Sequence, residues 1–139
     1  CIQPLWGRPD DMWRSSVPHI GEHRASQLYR TRELLEAGVP VAFGSDWPVS
    51  SPNAFAGIYV ATERSLTGQT AQLGAQQRID LATALDCYSD VSAQALFQEE
   101  SLATDWVELN ADPAVIPKDQ WHEIRATRAF VAGRLLTLN

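Results

Sequence analysis

Positive charge, cysteine and long apolar runs are all scarce in this chain. Its 139 residues carry a net charge of −6, with a pI near 4.9. No basic stretch stands out, which argues against a phosphate backbone or an anionic membrane as partner. No apolar run approaches the ~20 residues needed to cross a bilayer. The two cysteines, Cys1 and Cys87, build no disulfide framework and have no neighbours at metal-ligand spacing. They read as free thiols of a reducing, cytoplasmic compartment. Repeats, low-complexity segments and a glycine-rich phosphate cradle are missing as well. The one methionine is Met12 and the first residue is Cys1, so the chain reads as a piece of a longer protein.

What remains is ordinary globular material. Apolar residues make up 45% and charged residues 20%, a balance that builds a packed core rather than a disordered tail. The length suits about one domain.

The pattern along the chain alternates between strand and helix. Residues 1–5 read as the end of a strand closed by Pro4. A polar loop follows, with Gly7, Pro9, Asp10 and Asp11, extended by Ser15, Ser16 and Pro18. Residues 22–37 turn helical, with Ala25, Leu28, Tyr29 and Leu35 on one face and Gly38 as the stop. The apolar run at 39–43 suits a strand buried on both faces. Strand, helix and strand in this order form a βαβ unit with a right-handed crossover. A helix is expected over 54–65 and a surface loop over 67–77. Asp80 caps a further helix carrying Leu81, Ala84, Leu85 and Tyr88, and Ser92 caps a short one to Phe97. The character changes near Glu100: 105–109 alternates like a strand, 110–117 is a turn region, and 126–131 and 135–138 form a hairpin around Ala132-Gly133.

Among residues able to do chemistry, Asp46 comes first. It follows the strand 39–43 by a few residues, and in a (β/α)₈ barrel catalytic groups sit at the C-terminal ends of strands. Gly44 lets the backbone bend, and Trp47-Pro48 sets an extended exit. A carboxylate there can bind a metal ion and take a proton from water; its plainer role is to cap the segment that follows. His19 and His23 have a spacing that suits zinc on a helix, but Pro18 and Gly21 oppose a regular helix, and they read as polar residues at a helix entrance. His122 reads as a surface residue. Trp6 and Trp47 each follow a strand and can wall one pocket, the alternative being packing under loops. Arg64, at a helix end, reads as structural. Ser45 and Ser50 lack a histidine in a triad arrangement.

The runs "QPLW", "EHRASQLYRTRELLEAGVPVAFGSDWPV" and "SPNAFAGIYVATER" resemble the family 3 amidohydrolases, metal-dependent hydrolases that include formamide deformylase-like enzymes. "ATALDCYSDVSAQALF", "SLATDWVELNADP" and "IRATRAFVAGRLL" continue the resemblance in order to the chain's end. It implies an α/β fold: the C-terminal portion of a (β/α)₈ barrel, followed by part of a small β-sandwich. Residues 1–5 and 39–43 would be the seventh and eighth strands, with residues 1–99 in the barrel and 100–139 in the sandwich. Asp46 corresponds to the last-strand aspartate, a metal ligand and proton shuttle in attack of water on an amide or related C–N bond. Trp6, Trp47 and Gln3 would contact a small amide-type substrate. Many relatives carry His where Trp6 stands, and the turn into the sandwich is shorter here.

The metal, zinc by preference, would need ligands absent from this chain, because the family's His-x-His pair and later histidines lie upstream. The isolated piece is therefore expected to be inactive. Its exposed strand edges should call for the rest of the barrel or for another copy of the chain. The alternatives are a catalytically inactive scaffold or interaction domain that kept the fold, and an unrelated α/β domain with a cleft at its strand ends.

Overall fold

A computed structural model of the chain describes residues 1–98 and 103–136. In it the apolar run at 39–43 is buried only in its second half. Val41, Ala42 and Phe43 are buried in succession, whereas Val39 is 43% exposed. Successive strand residues face opposite sides, so three buried neighbours mean cover on both faces. This segment meets the N-terminal one in a parallel bridge, Ile2 opposite Phe43. The Ile2 N–H donates to the Ala42 carbonyl at 2.8 Å, and the Gly44 N–H to the Ile2 carbonyl at 3.1 Å. Pro4 then ends the first segment in a 3₁₀ turn, Pro4–Trp6. The other edge of Phe43 is occupied rather than open. Its N–H donates to the Cys87 carbonyl at 2.8 Å, and the Ser92 hydroxyl donates to its carbonyl at 3.3 Å.

The stretch expected to be a polar loop holds a helix instead, α1 (Asp11–Ile20), with Pro18 inside it. Asp10 caps it: its carboxylate accepts from the Trp13 N–H at 3.1 Å. The helix expected over 22–37 is broken in two, α2 (Glu22–Ala25) and α3 (Thr31–Glu36). Between them Tyr29 takes a left-handed backbone, φ 56°, which the helical periodicity of its side chain does not reveal. Helix α4 (Ala54–Glu63) is capped by Asn53, whose side chain accepts from the N–H groups of Phe55 and Ala56. Asp80 caps α5 (Leu81–Tyr88) as expected, accepting from Thr83. Helix α6 (Asp90–Ala95) has Ser89, not Ser92, at its N-cap position. The Ser92 hydroxyl is spent on the carbonyls of Phe43 and Cys87.

Strands β1 (Trp106–Leu109), β2 (Ala126–Val131) and β3 (Arg134–Leu136) form an antiparallel sheet in that order. Ala132 and Gly133 both have positive φ, the requirement of a tight hairpin turn. The expected change near Glu100, and the last two residues of the 135–138 strand, lie outside the described residues. The core gathers Val41, Phe43, Ile58, Ala61, Ala84, Cys87, Trp121 and Ile124. The last two come from the 3₁₀ segment Lys118–Glu123 and its exit, so residues near the C-terminus close the core over α4. Mixed helix and strand is therefore the class, and among the described residues the parallel pairing is confined to one bridge.

Candidate functional site

The strand carrying Val41–Phe43 hands the chain to Gly44-Ser45-Asp46. Asp46 is exposed and adopts a left-handed backbone, φ 53°, a region that non-glycine residues enter at a cost and in which Asn and Asp are enriched. Its carbonyl accepts from the Val49 N–H at 2.8 Å. That bond closes a turn over 46–49 around a cis Trp47-Pro48 peptide, so the chain reverses here instead of leaving extended as expected. The Ser50 hydroxyl donates to the Ser45 carbonyl, and the Trp47 N–H to the Ser45 hydroxyl at 3.3 Å. The turn is thus tied down on both sides, and the Asp46 carboxylate is presented at the end of a strand in parallel register with Ile2.

Beside this turn lies a cavity of about 220 Å³. Trp6 lines it from the end of the first segment, Trp13 from α1 and Tyr29 from the α2–α3 junction, while Val49 and Ser50 come from the turn. Trp47 and Asp46 stand outside it. Trp6 and Trp47 consequently do not wall one pocket: the reversal at 46–49 leaves Trp47 68% exposed. Gln3 is partly buried in the first segment and also outside the lining.

Arg64 holds one wall of the cavity from below. It is 1% exposed and donates to the carbonyls of Leu73, Tyr29 and Leu28 at 2.7, 3.3 and 3.1 Å. Burial pulls its pKa down to about 10, partly offset by Tyr29. Among the described residues its partners are three carbonyls and no carboxylate, which agrees with the structural reading of Arg64. Burial, with the Asp10 carboxylate as a second cause, raises the Tyr29 hydroxyl above its ordinary pKa.

The histidines take no part in this arrangement. His19 lies in the last turn of α1 and His23 sits in α2, with Gly21 (φ 80°) between them, so no single helix face carries both. His122 is exposed. The sequence reading missed Trp13 and Tyr29. The capping spacing Asp10-x-x-Trp13 was the available signal for the first.

The sequence model of the amidohydrolase family matches residues 5–137. The chain belongs to this family. A curated relative, "Putative amidohydrolase YtcJ" of Bacillus subtilis (strain 168), is 22% identical over 144 residues, covering 97% of this chain and 27% of its own length. The chain thus spans about a quarter of that relative. No solved structure matches it.

Amidohydrolases generally use divalent metals, and the residues here do not suffice for such a site. Among the described residues no three His, Cys, Asp or Glu side chains come together, whereas zinc takes at least three protein ligands. Nor is any helix among them long and apolar enough to cross a membrane.

Proposed function

We propose that this chain is the C-terminal portion of a hydrolase that cleaves amide or related non-peptide C–N bonds in small molecules, with Asp46 as its acid–base group. One observation carries the reading: Asp46 stands three residues beyond Phe43, at the end of a strand paired in parallel with the segment before it. That is where a (β/α)₈ barrel places its catalytic groups. In this reading residues 1–5 and 39–43 are the last two barrel strands within 1–99. Residues 100–139 supply part of a β-sandwich.

The step assigned to Asp46 is proton transfer. As water attacks the carbonyl carbon, the carboxylate takes a proton from it; as the C–N bond breaks, it returns that proton to the leaving nitrogen. The exposure of Asp46 suits this role, because a carboxylate lining a barrel is covered only by the remaining strands. Asp46 can offer one ligand to a divalent ion, zinc by preference; the others would come from outside this chain. Trp6 walls the neighbouring cavity, and Trp47 and Gln3 are assigned to substrate contact from the same end of the strands.

In the full-length protein, Asp46→Asn should lower turnover by about 10²–10⁴-fold with an unchanged circular dichroism spectrum and melting profile. Activity at the wild-type level would remove the role. The absence of a three-ligand cluster among the described residues favours a second reading, an inactive scaffold that kept the fold. A His-x-His pair encoded upstream of Cys1 decides for the enzyme, and its lack decides for the scaffold.

A further inference from the structure

The turn that presents Asp46 is held from outside as well as from within. At its entry the Gly44 N–H donates to the Ile2 carbonyl at 3.1 Å. At its exit stands Asn53, partly buried, with both polar atoms of its side chain engaged. Oδ1 accepts from the N–H groups of Phe55 and Ala56 at 3.0 and 3.2 Å and so caps α4. Nδ2 donates to the His122 carbonyl at 3.0 Å, across 69 residues of chain. The Asn53 N–H donates to the Ser51 hydroxyl at 3.2 Å, and the neighbouring Ser50 hydroxyl donates to the Ser45 carbonyl. Hydrogen bonds and short stretches of chain thus lead from His122 to the residue before Asp46.

Capping alone does not ask for an asparagine. Aspartate and serine cap a helix about as well, and aspartates cap α1 and α5 here. What the amide adds is a donor beside the acceptor, and that donor is spent on His122. The carbonyl it reaches is itself fixed in place. It belongs to the 3₁₀ segment Lys118–Glu123, which is fastened to α4 at both ends. Lys118 Nζ donates to Glu63 Oε1 at 2.5 Å, on the last residue of the helix. Trp121 shares the core with Ile58 and Ala61 of α4, and Asn53 is met at the helix start.

We infer that Asn53 is a positioning residue for Asp46, through which the C-terminal segment 118–123 braces the turn. A non-glycine residue in a left-handed backbone, as Asp46 is (φ 53°), keeps that conformation only while its surroundings maintain it. Asn53 fixes where the chain must return after it. Freeing that exit loosens the turn, and a displacement of about 1 Å at a reacting group can cost about 10²-fold in rate. The brace stands without any chemistry. Its consequence for turnover rests on the acid–base reading of Asp46 proposed above.

The test uses the full-length protein. Asn53→Asp keeps the cap and replaces the donor by a second acceptor; Asn53→Ser keeps the cap with a hydroxyl too short to reach His122 as well; Asn53→Ala loses both. The first readout is hydrogen–deuterium exchange of the Val49 amide, which donates to the Asp46 carbonyl. In Asn53→Asp and Asn53→Ser it should speed up about fivefold, the size of one neutral hydrogen bond, while the α4 amides stay as in wild type. In Asn53→Ala both should speed up. Unchanged Val49 exchange in the Asp and Ser variants would overturn the brace, and so would an acceleration shared with α4, which is the mark of a lost cap alone. The second readout is turnover of 4-nitroacetanilide: kcat should fall about 10-fold to 10²-fold in the Asp and Ser variants with KM unchanged, and an unchanged kcat would overturn the positioning role. The exchange readout needs no substrate and decides the brace even where turnover is nil. Asp46→Asn should leave Val49 exchange as in wild type, so the brace and the acid–base role fail separately.

Discussion

At the scale of single residues, Arg64 decides more than its position at a helix end suggests. Its guanidinium ties Leu28, Tyr29 and Leu73 together through their carbonyls, and Gly7 makes room for it. A Cβ on Gly7 would stand 2.3 Å from Arg64 Nη1 and 3.0 Å from Cζ. The guanidinium cannot step aside without stranding a buried charge, which is among the costlier defects a core can carry. Gly7→Ala should therefore lower the stability of the full-length protein by about 1–3 kcal/mol, read as a shift of the urea midpoint at constant slope. A change within a few tenths of a kcal/mol would mean that the guanidinium has somewhere else to go. The position of Asp46, a carboxylate just past an apolar run, was legible. Its left-handed backbone and the turn that isolates Trp47 were not, because local sequence registers neither the bond from Val49 nor the anchoring by Ser50.

At the scale of elements, the helix caps carry a pH signature. The Asp80 carboxylate accepts from the Thr83 N–H at 2.8 Å, and that backbone bond, with the Thr83 side chain second, holds its pKa below the ordinary carboxylate value. A depressed carboxylate stabilises the fold above its unfolded pKa, near 3.9, and loses that contribution as pH falls through the lower folded value. Asp80→Ala should cost about 1 kcal/mol at pH 7, and the gap between variant and wild type should narrow as the solution is taken below about pH 4. A gap that stayed constant with pH would assign the effect to helix propensity alone. Elements with a local signature were readable: α4, α5 behind Asp80, β1, and the β2–β3 hairpin at Ala132-Gly133. Helix α1 was hidden because Ser15, Ser16 and Pro18 all lower helix propensity, while the side-chain cap at Asp10 favours its start. The single helix expected over 22–37 failed at Tyr29, where the hydrogen bonds from Arg64, 35 residues away, settle the backbone. Trp121 in the core was equally beyond reach, since its burial depends on α4 lying beneath it.

At the scale of the whole molecule, the surface is too large for its mass. The chain exposes 8747 Å², whereas a compact monomer of 15.4 kDa is expected to expose about 7,200 Å². Part of the excess is apolar and lies on the small sheet, where Trp106, Val107, Leu135 and Leu136 are each about half exposed. Trp106 stacks on Phe130 with ring centroids 3.9 Å apart, a pair that the partner strands of a sandwich would cover. Expressed by itself, the 139-residue chain should self-associate or melt without cooperativity. Size-exclusion chromatography and thermal circular dichroism read this directly, and a monomer with a sharp melt would contradict it.

The edge of Phe43 bears on how a further strand could join this one. The Phe43 amide already donates to the Cys87 carbonyl at 2.8 Å. A newcomer strand would have to displace the end of α5 and the Ser92 hydroxyl, trading like for like at both atoms. Docking would then gain little from the backbone ladder and nearly everything from hiding greasy surface, which makes it a reversible exchange. A protein split just before Cys1 would be expected to come apart in cold, low-salt buffer sooner than its count of backbone bonds suggests.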